Sequence, residues 1–215
     1  MASYKFALLR SLADLAVLKG DDSGSEMEIS VNNIAKVSDA AIALWSRLLQ
    51  AIPEAKLIMA GIPQGTAQQH MQARFAAHGI ASERLELHAK LSHQAFRELH
   101  HRIDLALDSF PHNGNTTSCE SLWMGVPVLS LIGDRFVARF GNLLLKSIGL
   151  EELAVPDEAA YLDIAQSLAG DLDRLDSLRR GMRTRIENSV LRDEAGFTRD
   201  LETAYRTMWQ NWCAT

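Results

Sequence analysis

The sequence predicts an α/β fold: one Rossmann-like domain with a parallel sheet, followed by C-terminal helices. Three observations predict it. Short apolar runs alternate with segments of helical periodicity from residue 37 onward, the pattern of βαβ units. The apolar runs are continuous rather than alternating with polar residues, as in strands covered on both faces of a sheet. The last 60 residues contain three helical stretches and no further strand.

Residues 4–18 have the periodicity of an amphipathic helix, and the polar stretch GDDSGSEME (20–28) breaks it. Residues 39–52 form a helix with Ile42, Leu44, Trp45, Leu48 and Leu49 on one side, stopped by Pro53. AKLIMAG (55–61) is a short buried strand. Residues 66–78 are helical and end at Gly79. Residues 85–88 form a strand, and residues 92–101 a helix with Ser92 as N-cap. IDLALD (103–108) is a strand, 116–124 a helix, and VPVLSLI (126–132) a strand. A helix over 139–148 ends at Gly149, and LAVP (153–156) is extended. Helices over 157–168, 171–188 and 196–212 complete the chain.

The 215 residues are 47% hydrophobic and 23% charged, which places the chain among globular proteins. No run reaches the roughly 18 apolar residues of a membrane helix, and Asp14 interrupts the apolar N-terminal stretch that would otherwise suggest a signal peptide. Two cysteines, Cys119 and Cys213, provide neither metal spacing nor a disulfide framework, which fits a reducing cytoplasm. A net charge of −5 argues against a nucleic-acid partner. The cluster of Arg179, Arg180, Arg183 and Arg185 reads as a solvated helix face, and Cys119 as helix packing.

Candidate chemistry concentrates after the strand ending at Asp108. In open α/β sheets, ligands bind beyond the carboxyl ends of strands. Here a small polar loop containing Gly114 leads into a helix at Thr116. The unpaired N–H groups and partial positive charge of a helix start suit a diphosphate. Thr116 and Thr117 add hydroxyls, and Glu120, one turn on, can accept from ribose hydroxyls. An ordinary strand–loop–helix connection with Thr116 as N-cap fits the same residues equally well.

The stretch LALDSFPHNGNTTSCESLWMGVPVLSL (105–131), followed by GDRFVARFGNLLLKSIGLEELAV (133–155), resembles the C-terminal half of the O-GlcNAc transferase family. That family includes the SPINDLY-like proteins and bacterial relatives. The similarity runs from about Val31 to Trp212; VNNIAK (31–36) resembles one family block and LETAYRTMW the closing helix. The resemblance implies one lobe of a GT-B fold, spanning 31–215. It implies an inverting, metal-independent protein O-glycosyltransferase that needs no cofactor and uses a UDP-sugar donor, UDP-GlcNAc above others. Lys36 is implied as the catalytic cation that stabilises the leaving UDP. Asn33, Asn115, Thr116 and Thr117 are implied at the phosphates, Glu120 at the ribose, and Lys90, Leu91 and His93 at the uracil. Asn115 stands where many relatives carry His, His112 where Tyr is common, and Phe96 where Tyr or His is common. Residues 1–30 do not match and read as an unrelated leader, a fusion or a truncated gene. The acceptor lobe and helical repeats of the family are not in this chain. The partners implied are therefore a UDP-sugar and either a protein acceptor or a complementary N-terminal lobe, with no nucleic acid and no membrane. A non-catalytic remnant, or an interaction module that keeps the fold and forms homo-oligomers, is the alternative.

Overall fold

The computed structural model describes the backbone of residues 28–31 and the chain from 37 to 214. The helix expected over 4–18 lies outside these residues, as do Asn33 and Lys36. The strands are β1 (Glu28–Val31), β2 (Lys56–Met59), β3 (Leu85–Leu87), β4 (Leu105–Leu107), β5 (Val128–Leu131) and β6 (Ala154–Val155). They form one parallel sheet in the order β3-β2-β1-β4-β5-β6. This is the doubly wound order, and its direction reverses between β1 and β4.

Every strand but the short β6 is followed by a helix that returns the chain for the next parallel strand. The helices are α1 (Asp39–Ala51), α2 (Thr66–Ala76), α3 (His93–Leu99), α4 (Thr116–Trp123) and α5 (Phe140–Ser147). Three more follow: α6 (Glu158–Ala169), α7 (Leu172–Glu187) and α8 (Glu194–Cys213). Ser92 caps α3 as expected, accepting from the Ala95 N–H at 3.2 Å. The expected helix over 92–101 is in fact α3 followed by a 3₁₀ turn, His100–Arg102, because the chain must tighten to enter β4.

The core lies on both faces of the sheet. Leu57, Ile58, Leu105, Ala106, Val128 and Leu129 are all at most 1% exposed, which explains why the strands read as continuous apolar runs. Trp45 of α1, fully buried, meets Phe110 edge-on at 6.4 Å. α1 packs against α6, and α4 against α7.

The arginine cluster of α7 is not a uniform solvated face. Arg179 is mostly buried and donates to the carbonyls of Ile103 and His100, both at 2.7 Å. The Arg183 guanidinium lies 4.5 Å from the centre of the Trp123 ring. Arg180 and Arg185 remain exposed. α8 is the exception to the packing: none of its described residues is buried. No helix of the described residues is long and apolar enough to cross a membrane.

Candidate functional site

The β4–α4 loop is built around a buried carboxylate. Asp108 is fully buried and accepts from the Gly114 N–H at 2.5 Å and from the hydroxyls of Ser130 at 2.8 Å and Ser118 at 3.4 Å. A charge out of water is tolerated only when donors surround it, and these come from the loop, α4 and β5. Asp108 therefore shapes the loop from beneath. Asn113, also buried, donates to the Ser109 carbonyl at 3.0 Å and accepts from the Gly141 N–H at 3.3 Å. The Ser109 hydroxyl donates to the His112 carbonyl at 2.8 Å. Gly141 is required by this packing: a Cβ there would overlap the Ser130 hydroxyl and come within 2.6 Å of Asp108 Oδ2.

This scaffold presents the start of α4 at the carboxyl end of β4. Thr116 is exposed and Thr117 half-buried. Thr116 is the first helical residue rather than the cap; Asn115 takes the cap position, and its side chain makes no capping hydrogen bond. Its amide oxygen is buried without a hydrogen-bond partner among the described residues. Five of the other seven described helices are closed by a side chain, α1 by Ser38, α3 by Ser92, α6 by Asp157, α7 by Asp171 and α8 by Asp193, whereas α2 and α5, like α4, have no such cap. The ordinary connection with a threonine cap is thus not what the chain forms. The Asn115 side chain does not cap the first-turn N–H groups of α4, and this end of the helix carries partial positive charge.

Glu120 lies one turn further along α4. It is half-buried, and burial pushes its pKa up while the nearby charges of His93 and Arg97 pull it down. The structure thereby brings Glu120 together with His93 at the start of α3. Lys90 and Leu91 lie in the preceding connection, Lys90 exposed and Leu91 packed partly on the core. That connection is held to the β2–α2 loop by backbone bonds from Ile62 N–H to the His88 carbonyl at 2.9 Å and from Gly61 N–H to the Ala89 carbonyl at 3.4 Å.

Asn33 and Lys36 fall outside the described residues, but the chain that follows them is well placed. Val37 is buried, and the Ser38 hydroxyl both accepts from the Ala41 N–H at 3.1 Å and donates to the Phe110 carbonyl at 2.9 Å. This pins the start of α1 to the β4–α4 loop. The two loops meet where the strand order reverses, which is where such sheets bind ligands.

Reasoning from sequence missed the residues beneath the site: Ser38, Asn113, Ser118, Ser121, Ser130 and His100. A faint signal existed for two of them. Ser118 and Ser121 are three apart on α4, a polar pair on a face otherwise meant for the core.

A family model described as "Glycosyl transferase family 41" matches residues 27–201. Among curated proteins, a probable UDP-N-acetylglucosamine--peptide N-acetylglucosaminyltransferase SPINDLY of Petunia hybrida is 35% identical over 187 residues. That alignment covers 86% of this chain and 20% of the relative. A UDP-N-acetylglucosamine--peptide N-acetylglucosaminyltransferase of Caenorhabditis elegans is 26% identical over 186 residues, covering 84% of this chain and 16% of that protein. Among solved structures, a mutant O-GlcNAc transferase of Thermobaculum terrenum superposes with a TM-score of 0.85 at 33% identity. It covers 91% of this chain, which spans 38% of its length.

Proposed function

Because the chain belongs to glycosyl transferase family 41, we propose that it is the UDP-sugar-binding lobe, residues 31–215, of an inverting protein O-glycosyltransferase, with UDP-GlcNAc as donor. The fold is a Rossmann-like α/β domain of the kind that forms one lobe of a GT-B enzyme. The chain spans about a fifth of the length of its curated relatives, so transfer to a Ser or Thr hydroxyl is assigned to this lobe acting with an acceptor lobe.

The observation that carries the reading is the start of α4, set at the sheet's reversal point without a side-chain cap and bearing Thr116, Thr117 and Glu120. The diphosphate is assigned to the α4 N–H groups, the two threonine hydroxyls and Asn115. Glu120 is assigned to the ribose hydroxyls, and His93 with the Lys90–Leu91 connection to the uracil. Lys36 is assigned the catalytic part. As the acceptor oxygen bonds to the anomeric carbon and the bond to UDP breaks, negative charge collects on the leaving diphosphate, and the ammonium offsets it. Asn33 is assigned to the phosphates beside it. In this scheme protein cations and helix N–H groups do the work that a bound metal would do elsewhere, and no cofactor takes part. The cytoplasm is the compartment that fits a UDP-sugar donor and two free cysteines.

Calorimetric titration with UDP and UDP-GlcNAc tests the reading. Binding is expected, with Lys36→Ala weakening UDP far more than uridine and Glu120→Ala weakening both. Absence of heat at millimolar ligand would overturn it. The exposed apolar residues of α8 favour a second reading, an interaction module that keeps the fold, binds other copies or a partner, and needs no nucleotide. A chain that binds no nucleotide yet self-associates through α8 would establish that alternative.

A further inference from the structure

His100 is buried to 1% exposure behind the second turn of α4. Its Nδ1 lies 2.7 Å from the Phe96 carbonyl on α3, and its Nε2 lies 3.1 Å from the Ser121 hydroxyl on α4. The Phe96 ring stands edge-on to the imidazole at 4.7 Å. The Ser121 hydroxyl lies 3.0 Å from the carbonyl of Thr117. Burial drives the imidazole pKa down to about 4, helped by the charge of Arg179, so the ring is neutral at physiological pH. A neutral ring has a single N–H. The Phe96 carbonyl can only accept, so Nδ1 carries the proton and Nε2 is an acceptor. The one proton of Ser121 then has two claimants, His100 Nε2 and the Thr117 carbonyl.

We propose that His100 is a positioning residue of the nucleotide site. It draws the Ser121 hydroxyl toward α3, and so sets the distance between the α3 wall that carries His93 and the α4 wall that carries Thr117 and Glu120. Arg179 holds the same turn from the other side through the His100 and Ile103 carbonyls. The inference rests on the nucleotide-sugar reading above. It adds that the spacing between the uracil wall and the wall for ribose and diphosphate depends on one hydroxyl–imidazole bond that touches no part of the ligand.

The test exploits that spacing. A ligand spanning both walls should feel the loss of the bond, and a ligand resting on one should not. In His100→Phe and in Ser121→Ala, UDP affinity measured by NMR titration should fall about 5- to 10-fold, the worth of one neutral hydrogen bond. Free uracil and inorganic pyrophosphate should each change less than about 2-fold, because neither bridges the walls. The double variant should bind UDP no worse than either single one, since both remove the same bond. His100→Gln, which retains an acceptor, should restore most of the loss, and it carries the test with Ser121→Ala should His100→Phe fail to fold. Equal losses for all three ligands, additive losses, or no loss would each overturn the inference. A ligand-free readout separates it from the functional reading. Amide exchange at residues 119–121 should quicken in both single variants while α6 is unchanged. Quickened exchange in a chain that binds no UDP would overturn the nucleotide reading and leave the positioning role standing; unchanged exchange would overturn the positioning role even if UDP binds.

Discussion

His100 also makes the fold acid-sensitive at the level of a single residue. Its ordinary value is 6.5 and its folded value about 4. Above 6.5 neither the folded nor the unfolded imidazole binds a proton, so the group is silent. Between 6.5 and 4 the unfolded chain takes up a proton that the folded chain refuses, and stability falls as pH falls. Below 4 both states are protonated and the loss levels off. The full loss is roughly 3 kcal/mol. Urea unfolding at pH 7, 5.5 and 4 should show it, and His100→Phe should remove most of the slope contributed between those limits. The buried Asp108 side chain shows the opposite arrangement: a backbone N–H and two hydroxyls surround it beneath the loop.

At the level of elements, α4 depends on its neighbours more than on its own sequence. It has eight residues, too few to be stable alone in water. Its position comes from Asp108 below, His100 behind and α7 alongside. Gly141 at the start of α5 closes the same knot, so Gly141→Ala should cost about 2–4 kcal/mol through overpacking beside a buried charge. Gly181, inside α7, has open space where a methyl group would stand, with nothing within 4 Å, so Gly181→Ala should instead stabilise by up to about 1 kcal/mol. Opposite shifts in the urea midpoint would confirm that packing, not glycine content, decides the sign. The elements themselves are legible from the sequence, because strands covered on both faces and helices with caps such as Ser92 write their own boundaries. The support of the site is not. Arg179 reaches carbonyls 76 and 79 residues away and Arg183 one 60 residues away, and no local pattern tells such an arginine from a solvated one. The cap position of Asn115 is likewise hidden, since Thr116 is a capping residue by type and the loop geometry overrides it.

For the whole molecule, α8 stands apart. Phe197, Leu201, Tyr205, Met208, Trp209 and Trp212 are between 39% and 73% exposed. A chain ending at Asp193 should therefore unfold within about 3 °C of the full chain in calorimetry, as surface changes do. A larger drop would mean that the helix contributes to the core. The sheet order has a wider consequence. β1, β2 and β3 follow one another on one side, β4, β5 and β6 on the other, and among the described strands only the β1–β4 pairing joins the two sets. The α3 wall belongs to the first set and the α4 wall to the second. The domain is thus two contiguous pieces meeting at a seam, and the crevice opens along that seam. A nucleotide lying across it would act as a rivet: whatever free energy the closed seam lends to binding, binding must return to the seam. Fragments cut between residues 102 and 104 should therefore re-form the domain more tightly with UDP than without it, and the donor would be part of what holds the lobe in one piece.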